Sequence, residues 1–97
     1  MAHFVILSKF THQGITDVKR TVERAEAGIQ MAKKVNVTIK EIYWTLGSRD
    51  VVVICEAPDD EAVTAFSLSL TSLGNVSNET LRAFSSDEMK QVLAKMV

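Results

Sequence analysis

Two apolar runs, "FVIL" at residues 4–7 and "VVVIC" at 51–55, restrict what this chain can fold into more than any other feature. Successive side chains of a strand point to opposite faces, so a run without polar alternation is apolar on both. Such strands belong inside a sheet, with a strand on each side and a cover on each face. The second run follows a tight Gly47-Ser48 turn and stops at Pro58, the only proline.

The segments between these runs supply the other elements. Residues 3–10 read as the first strand. After a polar break at Thr11-His12-Gln13-Gly14, Ile15, Val18, Val22, Ala25, Ile29 and Ala32 recur at steps of three and four. That spacing predicts one apolar stripe on one helix, ended by Asn36. "VTIKEIYWTL" then has a period near two and reads as a second strand, joined by the Gly47-Ser48 hairpin to a third over 50–57. Asp59, Asp60 and Glu61 place negative charge where the dipole of a following helix favours it. That helix turns Val63, Phe66, Leu70 and Leu73 inward and ends at Gly74. "VSNETLRAF" is a fourth strand. Ser85 and Glu88 have the spacing of a capping box for a short last helix, whose apolar side is Met89, Val92, Leu93, Met96 and Val97.

The order β-α-β, β-α-β around a hairpin is the ferredoxin-like arrangement, an α+β fold with a four-stranded antiparallel sheet and helices on one face. In it the first and third strands are central. The second and fourth are edges, and these carry Lys40, Glu41, Glu79 and Arg82, charges that guard an edge against unwanted pairing. The halves also rhyme: "VNVTIK" and "GNVSNE" each place an Asn at a helix-to-strand junction, where the left-handed conformation is useful. One face of the sheet remains without a helix, although the central strands are apolar there too. A second copy of the chain is the expected cover, in a homodimer or larger assembly that the last helix helps to lock.

Composition narrows the function. The 97 residues suffice for one domain, 1–97. The net charge of −1 is spread as seven Lys/Arg against three Asp/Glu before residue 41 and four against nine after it. Nothing concentrates into a nucleic-acid footprint, and the third strand lacks the aromatics on which RNA-binding sheets of this topology stack bases. No nucleic-acid partner is expected. No apolar run reaches the ~18 residues of a membrane span, and the start of the chain lacks signal-peptide character. A single cysteine, Cys55, fits a reducing compartment. The expected location is the cytoplasm, with no membrane partner, so the sequons at Asn36, Asn75 and Asn78 are not read as glycosylation sites.

Reactive constellations are sparse. His3 and His12 stand ~30 Å apart along an extended strand, too far to share an ion, and no metal site or cofactor is expected. Cys55 lies within a central strand, where a thiol is packing. The hydroxyl-rich "SLSLTSLG" is helical, contains no nucleophile elbow, and its hydroxyls are expected to bond to helix carbonyls.

"YWTLG", Asp50, the apolar strand and "EAPDDEA" together resemble the GYD domain family, as do "THQGI" and "LGNVSNETLRAF". The family takes its name from Gly-Tyr-Asp at the hairpin. Here Gly47 and Asp50 fit the outer letters, and Arg49 stands where the tyrosine would be. The resemblance implies a dimeric α+β barrel. Related barrels include cofactor-independent monooxygenases and isomerases, and others are not enzymes. Two function classes follow. One is a small oligomeric binding or sensory module with a small-molecule ligand. The other is a small enzyme with its pocket between sheet and helices. The candidate ligand-binding residues are Tyr43, Arg82, His3, Trp44 and Asn78. Tyr43 and Trp44, adjacent on one strand, must point to opposite faces. Arg49 is expected on the hairpin tip, solvated or paired with a neighbouring subunit.

Overall fold

The two apolar runs pair with each other in the middle of one sheet. The structure, a computed structural model, describes residues 1–97. β1 (Ala2–Phe10) and β3 (Val51–Ala57) form the centre, with β2 (Thr38–Trp44) and β4 (Val76–Ala83) at the edges. The order is β2-β3-β1-β4 and every pairing is antiparallel. The ferredoxin-like topology is thus the one the charge and hydropathy of the strands require.

Between β1 and β2 the chain forms a short helix α1 (His12–Thr16), a 3-10 turn (Val18–Arg20) and α2 (Thr21–Lys34). The single helix expected from the apolar spacing is therefore broken, and Ile15 and Val22 are exposed. The break has a local cause. The Thr11 side chain caps α1, accepting from the Gly14 N–H at 3.1 Å, while its backbone N–H donates to the Asn75 carbonyl at 3.1 Å. Gln13 Nε2 donates to the Leu73 carbonyl and to Asn75 Oδ1. These bonds pin α1 to the loop before β4 and take it out of line with α2. A Cβ on Gly14 would stand 2.0 Å from the Asn75 oxygen, so only glycine allows this docking.

α3 (Asp60–Thr71) joins β3 to β4, with Asp59 as its cap: its carboxylate accepts from the Ala62 N–H at 2.8 Å. Ser69, Thr71 and Ser72 donate to helix carbonyls, as the hydroxyl-rich sequence implied. Leu73, expected inward, lies beyond the helix end and is exposed. Asn36 takes the left-handed conformation at its junction, φ 63°; at the second junction Gly74 takes it instead, φ 86°, leaving Asn75 free for α1.

Alternate residues of the central strands are buried beneath α2 and α3: Phe4 and Ile6 on β1, Val53 and Cys55 on β3, with Phe66 and Ala32 above them. Each large side chain so buried stabilises the fold by ~1.5–3 kcal/mol. The other alternation, Val5, Leu7, Val52 and Ile54, faces away and is only partly covered, with Leu81 of β4 exposed beside it. α4 (Ser86–Ala94) has the full capping box, yet Met89, Val92 and Leu93 are exposed. Its contact with the sheet is through Glu88, which lies near His3 and Arg82, in a molecule 50 Å long and 18 Å thick.

Candidate functional site

The helix-covered side of the sheet is incompletely filled. α2 presents Ala25, Ala27 and Gly28 where bulkier residues would close on α3, and Gly28 has only the end of Leu70 near it. A cleft of about 170 Å³ results, and thirteen of its eighteen lining residues are apolar. Phe10, Val51 and Val53 form its floor with Ile39 and Ile42 of β2; Met31, Phe66, Leu70 and Leu73 wall it from the helices. An apolar cavity of ~150 Å³ holds one benzene-sized ring, which sets the scale of a guest.

Its polar lining consists of Ser8, Thr21, Arg24 and Asn75. Ser8 is buried and donates to Asn78 Oδ1 at 2.7 Å; Asn78 in turn donates to Ser67 Oγ at 3.2 Å. Trp44 lines the cleft at the β2 edge, its indole N–H donating to Thr21 Oγ1 at 3.0 Å. Arg24 donates through Nη1 to the Asp17 carbonyl at 2.6 Å and through Nη2 to the Gly14 carbonyl at 3.1 Å. Its guanidinium lies 6.0 Å from the centre of the Phe10 ring. No carboxylate, histidine, lysine, tyrosine or cysteine lines the cleft.

The five candidate residues do not converge. Trp44 lines the cleft, and Asn78 on β4, beside Ser8 and outside the lining, ties β1 to α3. Tyr43 points to the open face, opposite Trp44 as the alternation requires, and both are about half exposed at the rim of the sheet. His3 and Arg82 sit at the far end of the sheet. There His3 lies between Glu56 and Glu88, 3.5 Å from each, and Arg82 is 3.6 Å from Glu88. Arg82 also covers the Phe84 ring at 4.4 Å and donates to the carbonyls of His3 and Ala83. The backbone N–H of Ser85 donates to Glu88 and holds its carboxyl below the ordinary glutamate value; the Ser85 hydroxyl, His3 and Arg82 act in the same direction, against desolvation.

The hairpin residues are structural in their contacts. Gly47 has φ 106°, the left-handed turn its identity suggests. Asp50 ties the turn to β1: its carboxylate accepts from the Phe10 N–H at 2.8 Å and its own N–H donates to the Ser8 carbonyl at 2.9 Å. Arg49 pairs within the same chain, 2.8 Å from Glu79 on the far edge strand, rather than standing unpaired at the tip. The Arg49 side chain reaches across β1, where Leu7 stands opposite Glu79. Cys55 is fully buried, and burial pushes its thiol up to about 11, so it is no thiolate nucleophile near neutrality.

The sequence did not mark Thr21, Arg24 or Asn75 as binding residues. Its available signal was the small-residue group Ala25, Ala27 and Gly28 on an amphipathic helix, which leaves a gap opposite α3.

This architecture defines a ferredoxin-like α+β protein with an apolar cleft between its helices and its sheet. The chain belongs to the GYD domain family, whose model matches residues 4–93. No curated protein matches it significantly. The stretches that carry the family resemblance have identifiable work in the fold: "THQG" docks on "LGN" at one end of the cleft, and Asp50 locks the hairpin to β1.

Proposed function

We propose that this protein is a small-molecule-binding module, acting as a homodimer or larger assembly of the dimeric α+β barrel kind. The observation that carries the binding reading is the lining of the cleft: apolar walls, a few polar groups at one end, and no side chain that exchanges a proton near neutral pH. Pockets that bind without transforming need shape and a few hydrogen bonds. General acid–base chemistry needs a group whose pKa lies near the working pH. Trp44 is the only tryptophan and lines the cleft, so it serves as a reporter. Toluene titrated into the full chain should shift the Trp44 indole N–H resonance in a saturable way. Gly28→Leu, which fills the space opposite Leu70, should abolish that shift while the fold persists. An unsaturable response, or one indifferent to Gly28→Leu, overturns the reading.

The assembly rests on the uncovered side of the sheet. Val5, Leu7, Val52, Ile54 and Leu81 form an apolar strip there, and the apolar side of α4 stands clear of its own chain. A second copy supplies the same surface in complementary orientation across a two-fold axis. Sedimentation at micromolar concentration should give a dimer or larger species, and Leu81→Lys should give a monomer with unchanged far-UV circular dichroism. A monomeric wild-type chain overturns the assembly and leaves the cleft reading intact.

A further inference from the structure

Given the reading of the cleft as a binding site, the spare hydrogen-bonding capacity of its polar end points to the chemistry of the guest. We infer that the cleft takes a small ring-sized apolar molecule bearing an anionic hydrogen-bond acceptor, such as an aromatic carboxylate, with that group directed to Arg24, Thr21 and Asn75.

Three observations converge on the sign of that group. Thr21 Oγ1 accepts from the Trp44 indole, which leaves its O–H free to donate. Gln13 Nε2 donates to the Leu73 carbonyl, which fixes the orientation of the Gln13 amide. The Asn75 atom facing Nε2, 3.0 Å away, is therefore the oxygen, and the Asn75 NH₂ remains a donor. Arg24 uses Nη1 and Nη2 for two carbonyls and keeps its other N–H groups, with its side chain mostly covered. Ser8, the fourth polar group, has given its O–H to Asn78. Ser8 is left with acceptor lone pairs alone, so the unused donors of the cleft are those of Thr21, Asn75 and Arg24.

Charge agrees. Arg24 is the one charged residue of the lining and no acid stands beside it in the cleft. Asp17 lies 3.6 Å from Arg24 Nη1 and also 3.6 Å from Arg20, outside the lining. The three donors also share one end of the molecule. Thr21 and Arg24 are one turn apart on α2. Arg24 bonds the Gly14 carbonyl, and Gly14 packs directly on the backbone of Asn75. A planar guanidinium held by two carbonyls is preorganised for a carboxylate.

Benzoate, toluene and benzylammonium have rings of one size and differ in charge, so their affinities for the full chain test the assignment through the Trp44 indole resonance. Benzoate should bind at least tenfold more tightly than benzylammonium, with toluene between them. Arg24→Met should remove the advantage of benzoate over toluene, and Arg24→Lys should keep part of it. If Arg24→Met fails to fold, the wild-type order still decides. Equal affinities, or tighter benzylammonium, overturn the anion preference while toluene binding upholds the cleft. Failure of all three to bind takes down the binding reading itself.

Discussion

The helix-covered and open faces of the sheet are built from the same two strands, residue by residue in alternation, and they end in different states. On the covered face Phe4, Ile6, Val53 and Cys55 lie beneath Phe66 and Ala32. On the open face Val5, Leu7, Val52 and Ile54 are as apolar but only partly covered, beside an exposed Leu81 and Tyr43. Two helices on one side cannot meet the demand of strands that are apolar on both. The covered face also carries the cleft, because the small residues of α2 leave space opposite α3 unfilled. One face has a cover with a gap in it; the other has a surface without a cover. The difference teaches that one pair of strands can carry a cleft on one face and an uncovered apolar surface on the other, with no residue serving both.

The sharpest way to break this comparison is to remove a side chain from the covered face. Phe66, 1% exposed, should lose ~3–5 kcal/mol of stability on replacement by Ala, measured by urea unfolding and independent of protein concentration. A concentration-dependent loss would move Phe66 into the assembly and erase the distinction. Next comes the turn that joins the faces at the hairpin. A Cβ at Gly47 meets no other atom within 4 Å, so Gly47→Val tests backbone conformation alone. It should destabilise by ~1 kcal/mol or more, because a β-branched residue resists positive φ. An unchanged urea midpoint would contradict the left-handed turn.

Smaller still is the strap across the hairpin end. Arg49→Ala removes the pair with Glu79, both partners being substantially exposed, and should lower stability by at most ~1 kcal/mol, less at high salt. A larger, salt-insensitive loss would make the hairpin part of a packed site. The smallest effect belongs to α4. The folded-state pKa of Glu88 lies below its ordinary value, so its contribution is full above ~4.3 and disappears as the pH falls through the lower folded value. Helical circular dichroism should therefore fall slightly on acidification through that window, and Glu88→Gln should flatten the change. A drop of equal size in Glu88→Gln would assign it to another carboxylate.

Much of this could be read along the chain because the determinants are local. The apolar runs and the charged edge strands place β1 and β3 inside and β2 and β4 outside. Gly47, Asn36 and the Ser85–Glu88 box each announce a backbone conformation or cap through a single side chain, and each takes that form. Hydrophobic spacing failed at Ile15 and Val22, because it registers a helix but not the bonds from Thr11 and Gln13 that break it from sixty residues away. It also gave no hint of the irregularity between Ile39 and Glu41 on β2, beside which Lys40 reaches Glu56 at 3.2 Å.

The candidate site divides the same way. That Tyr43 and Trp44 take opposite faces was legible from alternation alone, since a strand has a period of two wherever it lies; which of them faces the helices was not. His3 and Arg82 meet at one end of the sheet, away from Tyr43 and Asn78, and nothing in a linear sequence states which ends of which strands meet. Sequence by itself determined the topology, the sided pattern of the sheet and the turn conformations, all set by steric preference and by period over a few residues. Only the tertiary structure decided that Thr21, Arg24 and Asn75 gather at one end of an apolar cleft. Their proximity depends on a helix turned aside by a distant loop and on small residues leaving a gap, and packing of that kind exists only once the chain has closed on itself.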